Sequence, residues 1–419
     1  MARKMSRRDF VVRSSVLAGG AIMAPRVFAA SADTFKVGAV LELSGSAASG
    51  GQVAKRGYEL WVNTVNAAGG IKVGDKTYKV ELIIQDCQSQ PAQGANACER
   101  LITAENVDAL FGAYTSGVQI AMNPIAAKYQ TPCIAGSAES PGNWTSQPAF
   151  TYGIIPAVDK TAGKSIAEVI SVSNPKAKTI AVVGVNEPFS KDTAVGFREG
   201  AESAGLEVVY YTLFPKDADL TPIATTIASK KPDIVAVGGH DVLLSDMVKA
   251  LKGAAFTPGA LIQHYGITDA AFVDELKKDA DGVMGISVWL PNAPYKDELF
   301  GSAADYAAAF NKAYGSDPDY TAAGCSAAGV VLMKALQQLG AAPGLDADAK
   351  SKLNETIAKT DITAFYGPIK FESSGDHFHD NLAPKPFLVQ IQGGKVVAVA
   401  PTDAAQAKVV YPMVAWKDR

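Results

Sequence analysis

Short apolar runs rich in β-branched residues alternate along this chain with helical patterns of ten residues or more. The first series of apolar runs lies at residues 35–41, 80–84, 109–111 and 133–135, and helical patterns separate them. Strands joined through helices of this length form βαβ units, which build a parallel sheet. The alternation therefore restricts the first part of the chain to an α/β fold.

The alternation restarts after about residue 155, which indicates a second α/β unit. Predicted strands of this series lie at 179–185, 207–211, 234–237, 260–263 and 282–288. Helical patterns follow at 302–314, 321–340 and 346–359, and hairpin-like strands follow at 367–371, 387–391 and 396–399. We expect two lobes joined by more than one chain crossing.

Residues 1–32 have the features of an export signal. Arg7 and Arg8 precede a short apolar run at 11–23, and the segment ends in Ala30-Ser31-Ala32. The run is too short to span a bilayer, and Ser6-Arg7-Arg8-Asp9-Phe10 resembles a twin-arginine export signal. We expect cleavage near Ala32, with Ala29 as the alternative. No cysteine precedes Cys87, so the mature chain is expected in the periplasm, soluble and without a lipid anchor.

Composition is typical of a globular protein with sizeable cores, with 48% hydrophobic and 19% charged residues. The whole chain contains 39 basic and 42 acidic residues. Removing the six basic and one acidic residues of the export signal leaves a net charge of −8. An acidic exported chain without a basic patch argues against nucleic acid as a partner.

The four cysteines leave two possibilities open. No pair among Cys87, Cys98, Cys133 and Cys325 has the C-x-x-C spacing of zinc or redox sites. The periplasm permits disulfides, and Cys87 with Cys98 or Cys98 with Cys133 could form one. Twin-arginine export carries folded protein, so the fold cannot require a disulfide. Buried free thiols are the alternative.

Motifs for catalysis and cofactor binding are absent from the sequence. It contains no G-x-S-x-G, H-E-x-x-H or phosphate-binding loop motif. His377 and His379 have the residue type and spacing for a metal site, but an exposed polar turn after Gly375 is the favoured interpretation. We expect no metal, no cofactor and no enzymatic activity.

Small polar loops follow three of the predicted strands. The first contains Ser44; the second and third contain the following residues: Tyr114, Thr115, Ser116, Ser137, Ala138 and Glu139. Ligands of open α/β sheets bind at the carboxyl ends of the strands. Hydroxyls and free backbone N–H groups before helices suit a small carboxylate. Serine and threonine at such positions are also common helix caps, so each residue alone is weak evidence.

An ordered set of segments resembles a known family. Lys36-Val37-Gly38 and the segment 66–71, followed by 106–112, 233–239 and 365–371, resemble periplasmic leucine/isoleucine/valine-type binding proteins. These are the type I substrate-binding subunits of ABC importers. The resemblance covers nearly the whole mature chain, and the order of the segments is more specific than any one of them.

The resemblance implies two Rossmann-like lobes that close on a ligand and then dock on a membrane permease. It places the three hinge crossings near residues 152–155, 285–289 and 364–367. The first lobe then comprises 33–153 and 287–364, and the second comprises 154–286 and 365–400, with a tail at 401–419.

The family's ligand positions map onto individual residues of this sequence. In the first lobe they fall at Ser116, at Ser137 or Ala138, and at Glu139. In the second lobe they fall at Phe189, His240 and near Tyr265.

This sequence departs from the family at the acidic position, because Tyr265 cannot pair with an ammonium group. Either Glu139 supplies that charge from the other lobe, or the ligand lacks an α-amine, or Glu139 points to solvent beside Pro141. Phe189, His240, Tyr265 and Tyr114 favour a flat or aromatic ligand. The alternative is that Phe189 and Tyr265 only pack the lobes.

We therefore expect a monomeric solute-binding protein that delivers a small amino acid or related carboxylate or amide to an ABC permease. Two alternatives are a ligand sensor for a membrane receptor and an exported hydrolase or amidase that uses Glu139 or His240.

Overall fold

The computed structural model describes residues 34–144, 149–264 and 266–419. The predicted export signal and Tyr265 lie outside the described residues. The described chain is a mixed α/β structure with two largely parallel sheets, as the alternation predicts. Among the helices of this described part, none has the length and apolar character needed to cross a membrane.

Six strands form the first sheet. They are β1 (Thr34–Leu41), β2 (Ile71–Val73), β3 (Lys76–Asp86), β4 (Ala109–Phe111), β5 (Cys133–Ala135) and β6 (Thr151–Gly153). The spatial order is β2-β3-β1-β4-β5-β6, with every pair parallel except β2 and β3. The helices that connect them are α1 (Ala48–Ala67), α2 (Pro91–Thr103) and α3 (Ser116–Lys128).

Seven strands form the second sheet. They are β7 (Thr179–Val185), β8 (Glu207–Phe214), β9 (Ile234–Gly238), β10 (Ala260–Gln263), β11 (Met284–Ser287), β16 (Phe387–Gln392) and β17 (Lys395–Ala400). Their order is β17-β16-β11-β10-β9-β7-β8, and the hairpin β16-β17 adds antiparallel to β11. The helices of this lobe are α4 (Val158–Val172), α5 (Pro188–Ser203), α6 (Leu220–Lys230), α7 (Asp241–Gly253) and α8 (Ala270–Leu276).

The parallel parts of the two sheets share one topology. In each, the second strand of the series lies outside the first, and the third, fourth and fifth follow on the other side. The strand order reverses between β1 and β4 in the first sheet and between β7 and β9 in the second. Such a reversal opens a crevice at the carboxyl ends of the strands, where ligands of doubly wound folds bind.

Three later helices return to the first lobe. They are α9 (Ala303–Tyr314), α10 (Tyr320–Leu339) and α11 (Ala347–Ala358). Helix α10 packs closely on α1, where Ser326 donates a hydrogen bond of 2.6 Å to the carbonyl oxygen of Gly57. A side chain at Gly57 would place its Cβ 2.4 Å from the carbonyl oxygen of Ala322. Because Gly57 has no side chain, α10 can approach α1 closely and pack against the first lobe.

Loop segments at residues 154–157, 288–295 and 371–386 separate the strands of the first sheet, the strands of the second sheet and the returning helices. The third segment runs beside the first, because Asn381 donates its backbone N–H to Gly153 and Gly153 donates to His379. Residues 364–367, the expected third crossing, lie at the turn of a hairpin between β14 (Asp361–Ala364) and β15 (Gly367–Lys370). Phe365 in this turn stacks on Tyr306 of α9, so the hairpin packs with the returning helices. The exact residues at which one lobe ends and the other begins stay a prediction.

Short elements account for most of the differences from the expected pattern. The strands β2 and β6 have three residues each, and helix α8 has seven. The two-residue strands β12 (Lys296–Asp297) and β13 (Gly301–Ser302) also have no counterpart in the expected pattern. These elements contain too few residues to show a period of two or of 3.6, and unlike the three-residue strands β4 and β5 they are not continuous apolar runs.

All four cysteines are free and buried. Burial raises the pKa of the Cys87, Cys133 and Cys325 thiols to about 12. Of the two possibilities that the sequence leaves open, the structure therefore has buried free thiols and no disulfide among these four residues.

Candidate functional site

The carboxyl ends of the two sheets face each other across a cleft. The Tyr114 hydroxyl, after β4, lies 3.2 Å from Nδ1 of His240, which follows β9. Ser140, after β5, donates a hydrogen bond to the carboxylate of Asp192 on α5. Both contacts join the loops of the two sheets, and the first lies where their strand orders reverse.

A cleft of about 500 Å³ opens beside these contacts. Loop residues of both lobes line it, and they include Ser46, Thr115, Ser116, Glu187, Phe189 and His240. The cleft therefore contains four of the predicted ligand residues and is bounded by both sheets.

Glu42 fixes the loop that follows β4. It comes directly after β1, is fully buried, and accepts hydrogen bonds from the backbone N–H groups of Tyr114 and Thr115. The Thr115 hydroxyl donates to the same carboxylate at 2.6 Å. Burial raises the pKa of Glu42, and the three bonds to the loop oppose that shift. Thr115 is therefore held by Glu42 within its own lobe.

Tyr58 on α1 joins the second and third polar loops. Its hydroxyl donates to the carbonyl oxygen of Gly112 at 3.1 Å and accepts from the N–H of Gly136 at 3.0 Å. Its ring stacks on Phe111 with centroids 4.4 Å apart. Tyr58 and Glu42 are positioning residues that the sequence did not single out, because both belong to apolar or helical patterns without a motif.

Ser116 and Ser137 bond mainly to the loops themselves. The Ser116 hydroxyl oxygen accepts from the N–H groups of Glu139 at 3.1 Å and Ser140 at 2.9 Å. Ser137 donates to the carbonyl oxygen of Ala113 at 3.3 Å, and Ala138 beside it is 1% exposed. These contacts hold the third loop against the second and direct Glu139 toward the other lobe.

Glu139 lies buried between the lobes, and its side chain does not reach solvent. Tyr320, the first residue of α10, donates its hydroxyl to Oε1 of Glu139 at 3.1 Å. Oε2 lies 3.6 Å from Nε2 of His264, which follows β10 in the second lobe. Burial raises the pKa of Glu139 well above its ordinary value.

Aromatic rings of the second lobe face Glu139. Phe189 stacks on His240 with centroids 4.6 Å apart and meets His264 edge-on at 5.5 Å. Burial lowers the pKa of His240 to about 4 and that of His264 to about 3. Both imidazoles are therefore uncharged at neutral pH, and Nε2 of His264 also lies 3.1 Å from the Thr161 hydroxyl.

Five predicted ligand residues of the described chain do not line the cleft: Ser44, Tyr114, Ser137, Ala138 and Glu139. Ser44 is exposed and donates its hydroxyl to Asp86 at 2.6 Å, while its neighbours Gly45 and Ser46 line the cleft. Tyr265 lies outside the described residues. His264, the residue before it, is the one that the described structure brings to Glu139.

The expectation of an exposed polar turn at His377 and His379 is wrong. Both side chains are buried, and His377 lies 3.0 Å from Asp380 and 3.2 Å from Asp159. The two carboxylates raise the pKa of His377 to about 9. Within the described ranges, no group of three or more acidic, histidine and cysteine side chains has the arrangement of a metal site. The turn is buried because residues 153–157 run beside it and form hydrogen bonds with it.

A sequence model of the family described as periplasmic binding protein matches residues 34–395 of this chain. The chain belongs to the periplasmic binding protein family. Leu/Ile/Val-binding protein homolog 8 of Brucella abortus (strain 2308) is 26% identical over 412 residues, which cover 94% of this chain and 96% of that protein.

Solved structures of substrate-binding proteins share the fold. LivJ of Streptococcus pneumoniae, in complex with isoleucine, aligns with a TM-score of 0.75 at 24% identity, covering 90% of this chain and 100% of LivJ. A solute-binding protein of an R. palustris ABC transporter, in complex with benzoate, aligns with a TM-score of 0.73 at 24% identity, covering 90% and 99%. The architecture is that of the type I substrate-binding subunits of ABC importers.

Proposed function

We propose that this periplasmic binding protein captures a small solute between its lobes and delivers it to an ABC permease. The proposed solute is an amino acid or a related carboxylate or amide, and aromatic compounds are included in this class. The observation that carries the proposal is the meeting of two strand-order reversals across one cleft. Ligands of doubly wound sheets bind at this position in each lobe. A solute held there contacts both lobes and stabilises their closed arrangement.

The polar groups of the first lobe suit the carboxylate or carbonyl end of such a ligand. Ser116 is the first residue of α3 and lines the cleft, so the backbone N–H groups of this helix start lie beside it. Helix N-termini favour negative charge. Ser116 and the backbone N–H groups at the start of α3 are therefore the groups that we assign to the ligand's anionic or carbonyl end. Thr115, whose N–H and hydroxyl both donate to Glu42, positions the loop.

The stacked rings of Phe189 and His240 suit a flat apolar group at the other end. One structural neighbour was solved with isoleucine and another with benzoate, which supports both aliphatic and aromatic candidates. In this proposal the chain is a monomer that is cleaved near Ala32 and that binds without catalysing a reaction.

A thermal-shift screen tests the proposal. The mature chain is mixed with amino acids, aromatic acids and their amides, and positive compounds are titrated by calorimetry. We expect at least one member of these classes to raise the melting temperature and bind with one site per chain. Absence of binding by all of them contradicts the proposed ligand class, and conversion of a bound compound to product contradicts the assignment as a binding protein.

A further inference from the structure

The loop that follows β3 contains a backbone conformation that most residues avoid. Gln88 and Ser89 have φ angles of 54° and 58°, and within the described ranges this is the one place where two consecutive non-glycine residues have a positive φ. Residues with a side chain are strained in this left-handed region, because the Cβ comes close to a backbone oxygen. Such strain persists only where the surrounding structure fixes it, and it is concentrated at functional sites.

A neighbouring loop of the first lobe forms part of the rim of the cleft. Its residues 43–47, here called the rim loop, contribute Gly45, Ser46 and Ala47 to the wall of the cleft. Ala47 directly precedes α1, and its side chain cannot cap that helix. The rim loop consists mostly of small residues, so it has little packing of its own. Bonds from its surroundings must therefore offset the entropy that a single conformation costs.

Asp86 and Ser89 supply those bonds from the two ends of the strained turn. Asp86 accepts hydrogen bonds from the N–H of Leu43 at 3.0 Å and from the N–H and hydroxyl of Ser44 at 3.3 and 2.6 Å. Ser89 donates its hydroxyl to the carbonyl oxygen of Ser44 at 2.7 Å and accepts from the N–H of Ala47 at 3.1 Å. The two side chains thus hold the rim loop from its first residue to its last.

The turn and the rim loop also restrict each other. The Asp86 carboxylate that holds the rim loop accepts from the N–H of Gln88 at 2.8 Å. A Cβ at Gly45 would lie 2.7 Å from the carbonyl oxygen of Gln88 and 2.8 Å from Oγ of Ser89. Glycine adopts a positive φ without strain, as Gly45 does at 84°, whereas the turn has a side chain at both positions. The turn is therefore rigid at a cost in stability.

We propose that the strained turn at Gln88 and Ser89 positions the rim loop, so that this wall of the cleft is ordered before a solute binds. Asp86 and Ser89 act as positioning residues. The inference rests on the proposed function. A rim loop that is already fixed loses little conformational entropy when a solute contacts it, which raises affinity without an additional contact.

Gln88→Gly separates positioning from direct contact and from folding. Gln88 is exposed and does not line the cleft, so the substitution removes the strain and the stiffness of the turn without removing a cleft group. Because glycine adopts the left-handed φ readily, we expect the urea midpoint to stay equal or to rise. Affinity should fall about 3- to 10-fold, because the rim loop must then be ordered on binding. A purely structural residue would lose stability and affinity together.

Two measurements follow the rim loop and the cleft. Hydrogen exchange without ligand reports on the amides of Ala47, Ala48 and Gly51, which are hydrogen-bonded in the rim loop and the first turn of α1. We expect these amides to exchange at least about 10-fold faster in Gln88→Gly. L-leucine, L-phenylalanine and benzoate are titrated into both proteins by calorimetry, and the change in affinity is measured with each probe that the wild type binds.

Lys231→Gly is the matched control. Lys231 is also exposed and left-handed, with a φ of 49°, but it follows α6 and precedes β9, at the end of the sheet away from the cleft. Its replacement should keep or raise the urea midpoint and leave both rim-loop exchange and affinity unchanged.

The outcomes distinguish this inference from the proposed function. Wild-type affinity in Gln88→Gly overturns the positioning role, and so does exchange of the rim-loop amides at the wild-type rate. A lower midpoint together with weaker binding also overturns it, because the turn would then only support the fold. Absence of binding by all three probes to the wild type contradicts the proposed function instead, and the exchange rates then decide the positioning role.

Discussion

Two buried glutamates of the first lobe differ in what their surroundings supply. Glu42 accepts three hydrogen bonds from a single loop, so the protein itself compensates its burial. Glu139 accepts one hydroxyl donor and faces a neutral imidazole. A carboxylate with three donors from one loop positions that loop, whereas a carboxylate with one donor retains more of the cost of its burial.

The sequence could identify Glu139 but not its environment. Glu139 lies in a loop of small polar residues after a predicted strand, and such loops are recognisable. His264 and Tyr320, which meet its two oxygens, come from distant parts of the chain. Their positions depend on how the lobes fold and close, and no local pattern contains that information.

The buried ion pairs of His377 should make stability depend on pH. Because folding raises the pKa of His377 from 6.5 to about 9, the folded state holds this proton more tightly than the unfolded state. The stabilisation is fully present below pH 6.5 and is lost as the pH rises through 9. We expect His377→Gln to lower the free energy of unfolding by about 1–3 kcal/mol at pH 7 and by little above pH 9.5.

Urea denaturation of both proteins between pH 7 and 10 measures this difference. The range starts at pH 7 because burial raises the pKa of Asp380 to about 6, so Asp380 is ionised throughout. Replacing one partner, in Asp159→Asn, should reduce both the cost of His377→Gln at pH 7 and its pH dependence. A cost that stays constant from pH 7 to 10 would show that the ion pairs do not contribute.

The elements that could be predicted from the sequence are continuous apolar runs and long helical patterns. The strand Ala260–Gln263 has the predicted bounds, and α9 begins one residue after its predicted start. Ser302 and Asp305 form a capping box at the start of α9, and Gly315 ends it with a left-handed φ of 74°. Local chemistry fixes such ends, so a sequence contains them.

The contact between α1 and α10 depends on a glycine that the sequence does not mark as special. We expect Gly57→Ala to destabilise the protein by about 1–3 kcal/mol, because its Cβ would overlap the carbonyl oxygen of Ala322. Gly253→Ala at the end of α7 is the matched control. Nothing lies within 4 Å of a Cβ there, so the helix gains up to about 1 kcal/mol. Chemical denaturation midpoints of the two variants should therefore shift in opposite directions, and an unchanged Gly57→Ala midpoint would show that the helices can separate at no cost.

At the scale of the whole molecule, a few polar contacts join the loops of the two sheets. Tyr114 with His240 and Ser140 with Asp192 join loops at the carboxyl ends of both sheets. The repeated α/β pattern predicts two lobes, and the resemblance to binding proteins implies that they close. The pairing of individual residues across the cleft could not be predicted, because it depends on the relative orientation of two separately folded sheets.

The bond between Ser140 and Asp192 should stabilise the closed arrangement of the lobes. Burial raises the pKa of Asp192, and its bond to Ser140 opposes that shift, so the bond favours the ionised form of Asp192. In a double-mutant cycle of Ser140→Ala and Asp192→Asn, we expect a coupling energy of about 1–3 kcal/mol in ligand binding. Small-angle scattering should show a larger radius of gyration for each single variant at a ligand concentration that closes the wild type.

A double-mutant cycle within one lobe is the control that separates effects on lobe closure from effects on folding stability. Ser302 donates to Asp305 at 2.7 Å in the capping box of α9, which repeats the same chemistry away from the cleft. Ser302→Ala with Asp305→Asn should lower the free energy of unfolding and leave ligand affinity unchanged. Additive effects of Ser140→Ala and Asp192→Asn on affinity would contradict a role of their bond in lobe closure. Two groups that bond only when the lobes close should show a coupling energy in ligand binding.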